Sequence, residues 1–260
     1  MAKFQEMGEV ISQVCLCPGI FDLTIKAPQI AAEAGCGQFV AVYSKDAAHL
    51  LPRPISLCRI NRQAGTIRLV YRVAGYGTDE FSRLVAGDSV RVFGPLGTGF
   101  FLSDKKAMIV GGGIGVPPLL ETAAALSRRG MRRENIRIVL GYRNECFLKE
   151  EFEQFGTVCI ATEDGSTGVK GTVIDAINAN RVSADVIYSC GPAPMLRALK
   201  TFSEERNITC YVSMEQRMAC GIGACLACVC NSAEKDEHSQ VNNKRVCADG
   251  PVFNAKDIVI

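Results

Sequence analysis

The first hundred residues alternate apolar and polar positions in short runs that are rich in β-branched side chains and separated by turn residues. The candidate strands lie in GEVISQVCLC (8–17), IFDLTIKAP (20–28), GQFVAVYS (37–44), TIRLVYRVAG (66–75) and DSVRVFGPLG (88–97). Between the last two runs, DEFSRLVAG (79–87) is typical of a helix that ends at Gly87. Several short strands at this spacing predict a closed antiparallel barrel or a sandwich in residues 1–103.

From residue 104 the pattern changes to apolar strands that alternate with amphipathic helices. The strands are expected in KAMIVGG (106–112), NIRIVLGYR (135–143), VCIATED (158–164) and DVIYSCGP (185–192). The helices are expected in PPLLETAAALSRRG (117–130), LKEEFEQFG (148–156), GTVIDAINAN (171–180) and PMLRALKTFSEERN (194–207). This alternation predicts a parallel sheet covered on both faces, in an α/β domain over residues 104–208.

The remaining segment, 209–260, is too short for a further ordinary domain and predicts a small module. It opens with a strand in TCYVSM (209–214), and NSAEKDEHSQVNNK (231–244) has the composition of a solvated loop. A last pair of short strands is expected between KRVCADGPVF (244–253) and DIVI (257–260). The predicted fold class is therefore multidomain β plus α/β, with a small C-terminal module.

Composition and charge narrow the function classes. The chain has 260 residues and a formal net charge of +2, which gives no indication of nucleic-acid or membrane-surface binding. Its first residues carry no apolar signal region, and no apolar run reaches the roughly 18 residues of a membrane span. We expect a soluble cytoplasmic protein.

Thirteen cysteines are many for that compartment, where disulfides are rare and clustered thiols usually bind metal or react. The isolated cysteines are most simply small buried apolar residues; they are Cys15, Cys17, Cys36, Cys58, Cys146, Cys159 and Cys210. Four more crowd into RMACGIGACLACVC (217–230), and the last two are Cys190 and Cys247.

The spacing of this cluster points to an iron–sulfur centre. Cys220, Cys225 and Cys228 form C-x4-C-x2-C, and Cys247 follows after 18 further residues, which is the plant-type 2Fe–2S spacing. Zinc is the competing metal, but it usually takes paired C-x2-C knuckles or histidine partners. Structural thiols are the third reading. Cys230 could substitute for a ligand; we interpret it as a packed neighbour.

A glycine-rich turn joins a strand to a helix in IVGGGIGVPPLL. Its glycines, which could let a diphosphate approach the backbone, are Gly111, Gly112, Gly113 and Gly115. A tight turn without a ligand is the alternative, and the spacing differs from G-x-G-x-x-G. Cys190, Gly191 and Pro192 follow the last strand of this domain, where a nicotinamide could lie, although a buried cysteine before a turn is an equally simple reading.

Two polar motifs stand out in the barrel, RPIS (53–56) and GYGT (75–78). Arginine can hold a diphosphate, and a hydroxyl can bond to a flavin heteroatom or a phosphate. Taken alone, both motifs are also compatible with a strand-entry proline and an ordinary turn.

Together, R-P-x-S, G-x-G-T, GGGIGVPP and CGPAPM resemble the ferredoxin–NADP reductase superfamily. The resemblance implies FAD on the barrel and a pyridine nucleotide on the second domain. It places the flavin ring and its phosphates near Arg53, Pro54, Ile55 and Ser56. It places the ribityl region near Val70, Tyr71 and Arg72, and the FAD diphosphate at Gly77 and Thr78.

MEQRMACGIGACLACVC, VCADGPVF and TEDGSTGVKG resemble the electron-transfer subunits of class 1B dihydroorotate dehydrogenases. The resemblance implies a 2Fe–2S cluster on the four cysteines, and a partner subunit that holds FMN and oxidises dihydroorotate in pyrimidine synthesis. It further implies a heterotetramer. The nucleotide expected is NAD, although Arg143 could meet the 2′-phosphate of NADP.

No acid–base residue of this chain is expected to be catalytic, because hydride transfer is the chemistry of the cofactors. Glu215 could neighbour the flavin or be a plain surface residue. Two alternatives stay open at this point. One is the reductase subunit of another flavin–iron–sulfur complex, such as a ferredoxin–NADP oxidoreductase or a hydrogenase-associated reductase. The other is a zinc-stapled interaction module.

Overall fold

The computed structural model describes residues 2–235 and 240–260, so residues 236–239 of the predicted loop 231–244 lie outside the described residues. The N-terminal part is a closed barrel in the order β1-β2-β5-β4-β3-β6, with antiparallel neighbours. Its strands are β1 (Phe4–Cys17), β2 (Ile20–Lys26), β3 (Phe39–Val42), β4 (Arg53–Asn61), β5 (Thr66–Arg72) and β6 (Ser89–Leu96). The prediction of a closed barrel is confirmed, and the sandwich alternative is excluded.

Three local elements of the barrel differ from the sequence prediction. The segment that begins with the RPIS motif is a full strand, β4, whose hydrophobic positions Ile55 and Leu57 point into the core. A short helix, α1 (Pro28–Glu33), follows β2 because Pro28 suits a first helical turn. The predicted helix over 79–87 is instead α2 (Tyr76–Phe81), which begins three residues earlier and ends before the turn at Gly87.

The second part is a seven-stranded sheet in the order β10-β9-β8-β7-β11-β12-β15. Its strands are β7 (Ala107–Gly112), β8 (Ile136–Tyr142), β9 (Thr157–Thr162), β10 (Val169–Lys170), β11 (Val186–Cys190), β12 (Thr209–Ser213) and, at one edge, β15 (Val252–Asn254). The helices are α3 (Pro117–Arg128), α4 (Lys149–Glu153), α5 (Val173–Ala179) and α6 (Ala193–Glu205). Strands β7 to β12 are parallel, and β7 is buried along its whole length, as a sheet covered on both faces requires.

The C-terminal strand pairing predicted from the sequence is wrong. The segment 244–253 does not pair with 257–260; instead β15 lies antiparallel to β12 at the edge of the sheet. A separate pair joins β13 (Val229–Asn231) to β14 (Asn243–Arg245), so the ends of the predicted solvated loop are strands. Ile258 contributes an isolated bridge to Ser232. Pairing partners depend on contacts between distant segments, which a local alternation pattern does not specify.

One apolar core joins the cysteine-rich segment to the rest of the molecule. Cys228, Val246 and Cys247 are buried in the same cluster as Phe39 and Leu96 of the barrel. That cluster continues under the sheet, so the three parts share a core. The cysteine-rich segment is therefore packed against the barrel.

Charged side chains also join the barrel to the helices of the sheet. Arg68 on β5 is within 2.7 Å of Asp22 on β2 and also bonds to Glu151 on α4. The carboxylate of Glu121 on α3 accepts a hydrogen bond from the backbone N–H of Ile60 on β4 at 3.1 Å. In the part of the chain that the structure describes, no helix is long and apolar enough to cross a membrane.

Candidate functional site

The ladder between β4 and β5 stops before the start of β4 and the end of β5, and we call the gap between these two strand ends the cleft. The two strands pair from Leu57–Leu69 to Asn61–Thr66, with an irregularity after Leu57. Before that point residues 53–56 pair with β3, and beyond it residues 70–72 pair with β2. The facing edges of these two segments are therefore not paired with each other. The RPIS motif and the Val70–Arg72 segment lie on opposite sides of this opening.

Arg53 lies directly over the first turn of α2. A Cβ on Gly77 would come within 2.9 Å of Arg53 Nε, so a larger residue there would displace the guanidinium from this position. The guanidinium also donates to the carbonyl oxygen of Leu51 at 2.6 Å. A cation beside a bare backbone turn suits a diphosphate, which guanidinium groups bind through charge-assisted hydrogen bonds. This cradle fits the predicted FAD diphosphate.

Thr78 holds the shape of this turn. Its hydroxyl accepts hydrogen bonds from the N–H groups of Ala74 and Gly75 at 2.9 and 3.2 Å, and donates to the Gly75 carbonyl at 2.9 Å. One donor and two lone pairs are thereby used. The structure thus gives the Thr78 hydroxyl a turn-forming role, and its contact with a diphosphate stays a prediction.

The side chains of Val70 and Tyr71 point away from the cleft into the protein interior. The Tyr71 hydroxyl accepts a hydrogen bond from Gln13 Nε2 at 2.9 Å, and burial raises the pKa of Tyr71 to about 12. Its ring packs against Phe21 and, edge-on, against Phe81. A flavin contact by Val70 and Tyr71 would therefore come from their backbone. Gln13, which the sequence analysis missed, anchors the tyrosine.

The other predicted barrel residues flank the cleft. Ile55 is buried, Ser56 is half-buried and Pro54 is exposed. Arg72 is exposed and reaches the second domain, because its Nη2 would lie 3.7 Å from a Cβ on Gly113. The barrel cleft and the glycine-rich turn are thus neighbours.

The glycine-rich turn packs backbone to backbone against the turn after β11. A Cβ on Gly115 would lie 2.5 Å from the carbonyl carbon and oxygen of Cys190, and 2.6 Å from Gly191 Cα. A Cβ on Gly112 would lie 2.6 Å from Met195 Sδ and 3.0 Å from Pro192 Cδ. These glycines are needed because the two turns approach so closely.

Gly113 is required for a different reason. Its φ of +53° lies in the left-handed region, in which side chains are strained. It opens a 3₁₀ turn, Gly113–Gly115, that leads into α3. Strands β7 and β11 are adjacent, and the sheet order runs outward in opposite directions from this pair. Ligands of open parallel sheets bind at such a crevice.

Cys190 lies between Gly111 and Ser213 in the register of the sheet. Burial raises the pKa of the Cys190 thiol to about 12, although a hydrogen bond with Ser213 opposes the rise. The thiol is therefore neutral at physiological pH. Because the thiolate is the nucleophilic form, Cys190 is better suited to line the crevice than to act as a nucleophile. Glu215 is exposed and close enough to raise the Cys190 pKa slightly.

The predicted cluster ligands occupy two loops that meet. Cys220 Sγ accepts hydrogen bonds from the backbone N–H groups of Ile222, Ala224 and Cys225 at 3.3–3.4 Å. Cys228 Sγ accepts one from the N–H of Cys247 at 3.4 Å. Such N–H groups stabilise thiolates and sulfur atoms of a cluster. The donor set and its surroundings fit a thiolate-bound iron–sulfur centre.

Glycine shapes this loop at two positions with positive φ, Gly221 at +69° and Gly223 at +87°. A Cβ on Gly223 would also lie 2.9 Å from the Cβ of Ala248, the residue after Cys247. At Gly221, a Cβ would reach Leu96 of β6 at 3.5 Å. The cysteine loop therefore touches the barrel on one side and the Cys247 segment on the other.

Arg245 ties the two cysteine segments together. Its guanidinium is paired with Asp249 at 2.8 Å and donates to the Gly223 carbonyl at 3.4 Å. The sequence analysis missed both residues of this pair, since charge alone did not distinguish them from other surface residues. Their four-residue spacing on one turn is the signal that could have indicated them.

The four thiols differ in exposure and in acidity. Cys228 and Cys247 are buried, Cys220 is half-buried and Cys225 is exposed. Burial raises the pKa of Cys220, but the N–H groups of Ile222 and Cys225 outweigh it and lower that pKa to about 6. Burial and the neighbouring Cys228 raise the pKa of Cys247 to about 12.

Within residues 2–235 and 240–260, no three side chains of histidine, cysteine, aspartate or glutamate are arranged so as to hold a metal ion. Ligation by the four cysteines therefore stays a prediction that rests on the donor set and its N–H groups. Cys230 lies on β13 in the shared apolar core, and burial raises the pKa of its thiol. That position agrees with a packed neighbour.

The C-terminal region of the chain is similar to a known family. Residues 215–259 match the family model of the iron–sulfur cluster binding domain of dihydroorotate dehydrogenase B. A Geobacillus kaustophilus protein named dihydroorotate dehydrogenase B (NAD(+)), electron transfer subunit, is 43% identical over 98% of this chain and 99% of its own length. A Streptococcus pneumoniae protein of the same name is 42% identical over 98% of both chains.

Solved structures give the same architecture. The structure of an NADH-dependent reduced ferredoxin–NADP oxidoreductase, studied for flavin-based electron bifurcation, superposes with a TM-score of 0.86. It is 28% identical, and the match covers 98% of this chain and 90% of that chain. A ferredoxin reductase of carbazole 1,9a-dioxygenase superposes with a TM-score of 0.66 at 19% identity, over 80% of this chain and 67% of its own, which concerns the fold alone.

Proposed function

Because the chain belongs to the family of electron transfer subunits of NAD(+)-dependent dihydroorotate dehydrogenase B, we propose that it carries electrons between a dihydroorotate-oxidising catalytic subunit and NAD(+). The observation that carries this proposal is the likeness over nearly the full length of chain and relative, with the cysteine segment included. The chain is thus an oxidoreductase component of pyrimidine biosynthesis.

We assign one cofactor to each part of the fold. FAD would lie in the barrel cleft, with its diphosphate at Arg53, Gly77 and Thr78 and its ring between residues 53–56 and 70–72. NAD would lie on the sheet, with its diphosphate on Gly111–Gly115 and its nicotinamide beside Cys190, Gly191 and Pro192. A 2Fe–2S cluster would be held by Cys220, Cys225, Cys228 and Cys247. When bound, these groups would supply hydride transfer at the nicotinamide and single-electron transfer at the iron.

The chain's own residues would position these groups and exclude water. Arg53 neutralises diphosphate charge over the bare backbone of Gly77. The close packing of Gly115 on Cys190 sets the depth of the nicotinamide crevice. The N–H groups around Cys220 favour its thiolate form at neutral pH. No side chain needs to move a proton for this task, because the reacting atoms belong to the cofactors.

The exposed face of the cysteine loop is the proposed exit for electrons. Cys225 is exposed, and beside it Ile222 and Leu226 are 47% and 59% exposed. Apolar side chains around an exposed ligand suit contact with another protein. We propose that this partner is the FMN-containing catalytic subunit, and that the two chains assemble into a heterotetramer.

We propose three functional regions, an FAD-binding barrel at 1–103, an NAD-binding domain at 104–208 and a cluster module at 209–260. Strands β12 and β15 belong to the last region by sequence but extend the sheet of the second. We also propose a cytoplasmic location, since thiols stay reduced there and remain available as ligands.

The likeness to the ferredoxin–NADP oxidoreductase structure favours one alternative, the reductase subunit of a different flavin–iron–sulfur complex. The barrel, sheet and cluster would then be the same and the partner would differ. The higher identity to the dihydroorotate family, 43% against 28%, favours the first assignment.

The test is to purify the chain anaerobically with its native partner. We expect flavin and iron–sulfur absorption bands, iron and acid-labile sulfide, and dihydroorotate-dependent reduction of NAD(+). Ferredoxin-dependent activity without orotate formation would favour the alternative complex. A colourless protein that contains zinc and no iron would overturn both assignments.

A further inference from the structure

Glu121 is a charged side chain buried between the barrel and the sheet. Its side chain is 1% exposed, although the other buried residues of α3, apart from Thr122, are apolar. Its Oε2 accepts the hydrogen bond from Ile60 N–H at 3.1 Å and lies 3.3 Å from Arg59 Nε, while its Oε1 accepts from Arg128. A buried carboxylate is tolerated only when it is paired in this way.

The contact satisfies a backbone N–H group of β4 beyond the end of the β3–β4 ladder. β3 pairs with β4 only from Arg53 to Ser56, so the later part of β4 extends beyond that ladder. There the N–H of Ile60 bonds to the Glu121 carboxylate instead of a backbone carbonyl. Arg59 adds a second contact, because its Nε forms an ion pair with Glu121 Oε2 at 3.3 Å. Its guanidinium also lies over the ring of Phe155 at 5.4 Å. Helix α3 is thereby held to β4 by one backbone hydrogen bond and one ion pair.

The two joined elements are the ones that carry the two nucleotide sites. β4 begins with the residues assigned to the flavin, 53–56, and α3 begins directly after the glycine-rich turn at 113–115. The Arg68–Glu151 pair also crosses the junction, but α4 carries none of the assigned nucleotide residues. Glu121 is thus the charged link that connects the flavin strand to the nucleotide helix.

We propose that Glu121 is a positioning residue that fixes the nicotinamide site relative to the flavin site. The inference rests on the proposed function. Hydride transfer moves one proton together with two electrons from NADH to the flavin and leaves NAD(+). The step needs the reacting atoms to be roughly 3–3.5 Å apart. A displacement of about 1 Å can slow such a step by roughly 100-fold. Loss of the link would therefore affect the step itself more than nucleotide binding.

The experiment compares Glu121→Ala and Glu121→Gln in the flavin-loaded chain. Glu153→Gln is the matched control, because Glu153 pairs with Lys149 on the exposed face of α4. Stopped-flow absorbance gives the rate of flavin reduction at saturating NADH and the NADH concentration for half-maximal rate. Hydrogen–deuterium exchange over residues 57–63, without NADH, reports on the Ile60 amide independently of activity.

We expect Glu121→Ala to slow flavin reduction by about 10- to 100-fold, as expected for a displacement of up to 1 Å. The half-saturating NADH concentration should change less than threefold, and the Ile60 amide should exchange faster. Glu121→Gln, which keeps an acceptor for Ile60, should restore the rate to within about threefold and keep the amide protected. Glu153→Gln should behave as wild type in both measurements.

The inference is wrong if folded Glu121→Ala reduces its flavin within twofold of wild type, or if it slows the step while the Ile60 amide stays protected. Should Glu121→Ala not fold, Arg59→Met tests the same link from the barrel side, since Arg128 and Ile60 still satisfy the carboxylate. It should slow the step about three- to tenfold, and equality with Glu153→Gln would refute the link. If wild type itself is not reduced by NADH, the proposed function fails instead.

Discussion

The close approach of Gly115 to Cys190 makes Gly115→Ala the sharpest test of the nucleotide site. The added Cβ would lie 2.5 Å from the carbonyl carbon and oxygen of Cys190. Both are backbone atoms of β11, which is hydrogen-bonded to β7 and β12 and cannot turn aside as a flexible side chain could. The two turns must therefore separate.

The size of that separation follows from the geometry. Ordinary van der Waals contact begins at 3.4 Å, so a Cβ at 2.5 Å requires an opening of about 0.9 Å. Overpacking of a well-packed interior costs about 1–3 kcal/mol in unfolding free energy. If the nicotinamide rests on these turns, a displacement near 1 Å also slows hydride transfer by roughly 100-fold. A 100-fold slower step corresponds to about 2.7 kcal/mol, so the effects on the rate and on stability should be of similar size.

The assay is stopped-flow reduction of the bound flavin by NADH, with thermal unfolding measured in parallel. The matched control is Gly35→Ala, because a Cβ there would meet its nearest atom, Gln38 Oε1, at 3.6 Å. It should leave both rate and stability near wild type. Gly113→Ala is a second comparison, since it adds left-handed strain of about 1 kcal/mol without a clash.

We expect the rate of Gly115→Ala to fall at least tenfold below that of Gly113→Ala, with the cluster spectrum unchanged. A Gly115→Ala protein that is destabilised by about 1–3 kcal/mol but reduces its flavin at the wild-type rate would refute the reasoning. In that case the glycines would serve only the packing of two turns, and the nicotinamide would lie elsewhere.

Four further predictions test the other sites. Ser56→Ala should slow flavin reduction about fivefold, the equivalent of one neutral hydrogen bond, and leave the cluster spectrum intact; an unchanged rate contradicts its place beside the ring. Cys225→Ser should abolish iron and acid-labile sulfide while Cys230→Ser retains them, and the reverse result would exchange their roles. In metal-free protein, alkylation of Cys220 by iodoacetamide should be fast at pH 7 and fall as the pH drops through about 6, because the thiolate is protonated there; a midpoint near pH 9 contradicts the role of the N–H groups. Arg68→Ala should lower the free energy of unfolding by about 3 kcal/mol in urea titrations, since two partly buried carboxylates lose their partner, and a loss below about 1 kcal/mol would mean that solvent screens the pair.

The sequence predicted those features of the candidate site whose residues lie close together along the chain. Two features lie within short stretches of sequence, the spaced cysteines Cys220, Cys225 and Cys228 and the run Gly111–Gly115. Their residue types and spacing alone therefore indicate the chemistry that they could support. The strand, turn and helix around the glycine run were predictable for the same reason, since their apolar periodicity is local.

The parts that were missed depend on contacts between distant segments. Glu121 and Ile60 are 61 residues apart in the sequence, and neither residue type predicts a hydrogen bond to the other. The strand β4 was missed because its first residues, RPIS, are partly polar. They were interpreted as a cofactor motif, with a strand-entry proline as the alternative. The buried side chain of Tyr71 could have been predicted, because period-two spacing places it on the same face of β5 as the apolar residues Ile67 and Leu69. The pairing partner of β15 could not have been predicted from its own sequence.

The contacts of the barrel give the proposed cofactors a spatial order. Arg72 at the end of β5 reaches Gly113 of the nucleotide turn, while Leu96 at the end of β6 lies against Gly221 of the cysteine loop. The barrel therefore touches the nucleotide site through one strand end and the cluster site through another, and a flavin in its cleft would be placed to exchange electrons with both. Cys225, the exposed one of the four predicted ligands, belongs to the same loop as Gly221. A partner subunit that receives or supplies electrons through the cluster must then cover this loop, and need not approach the nucleotide crevice at all.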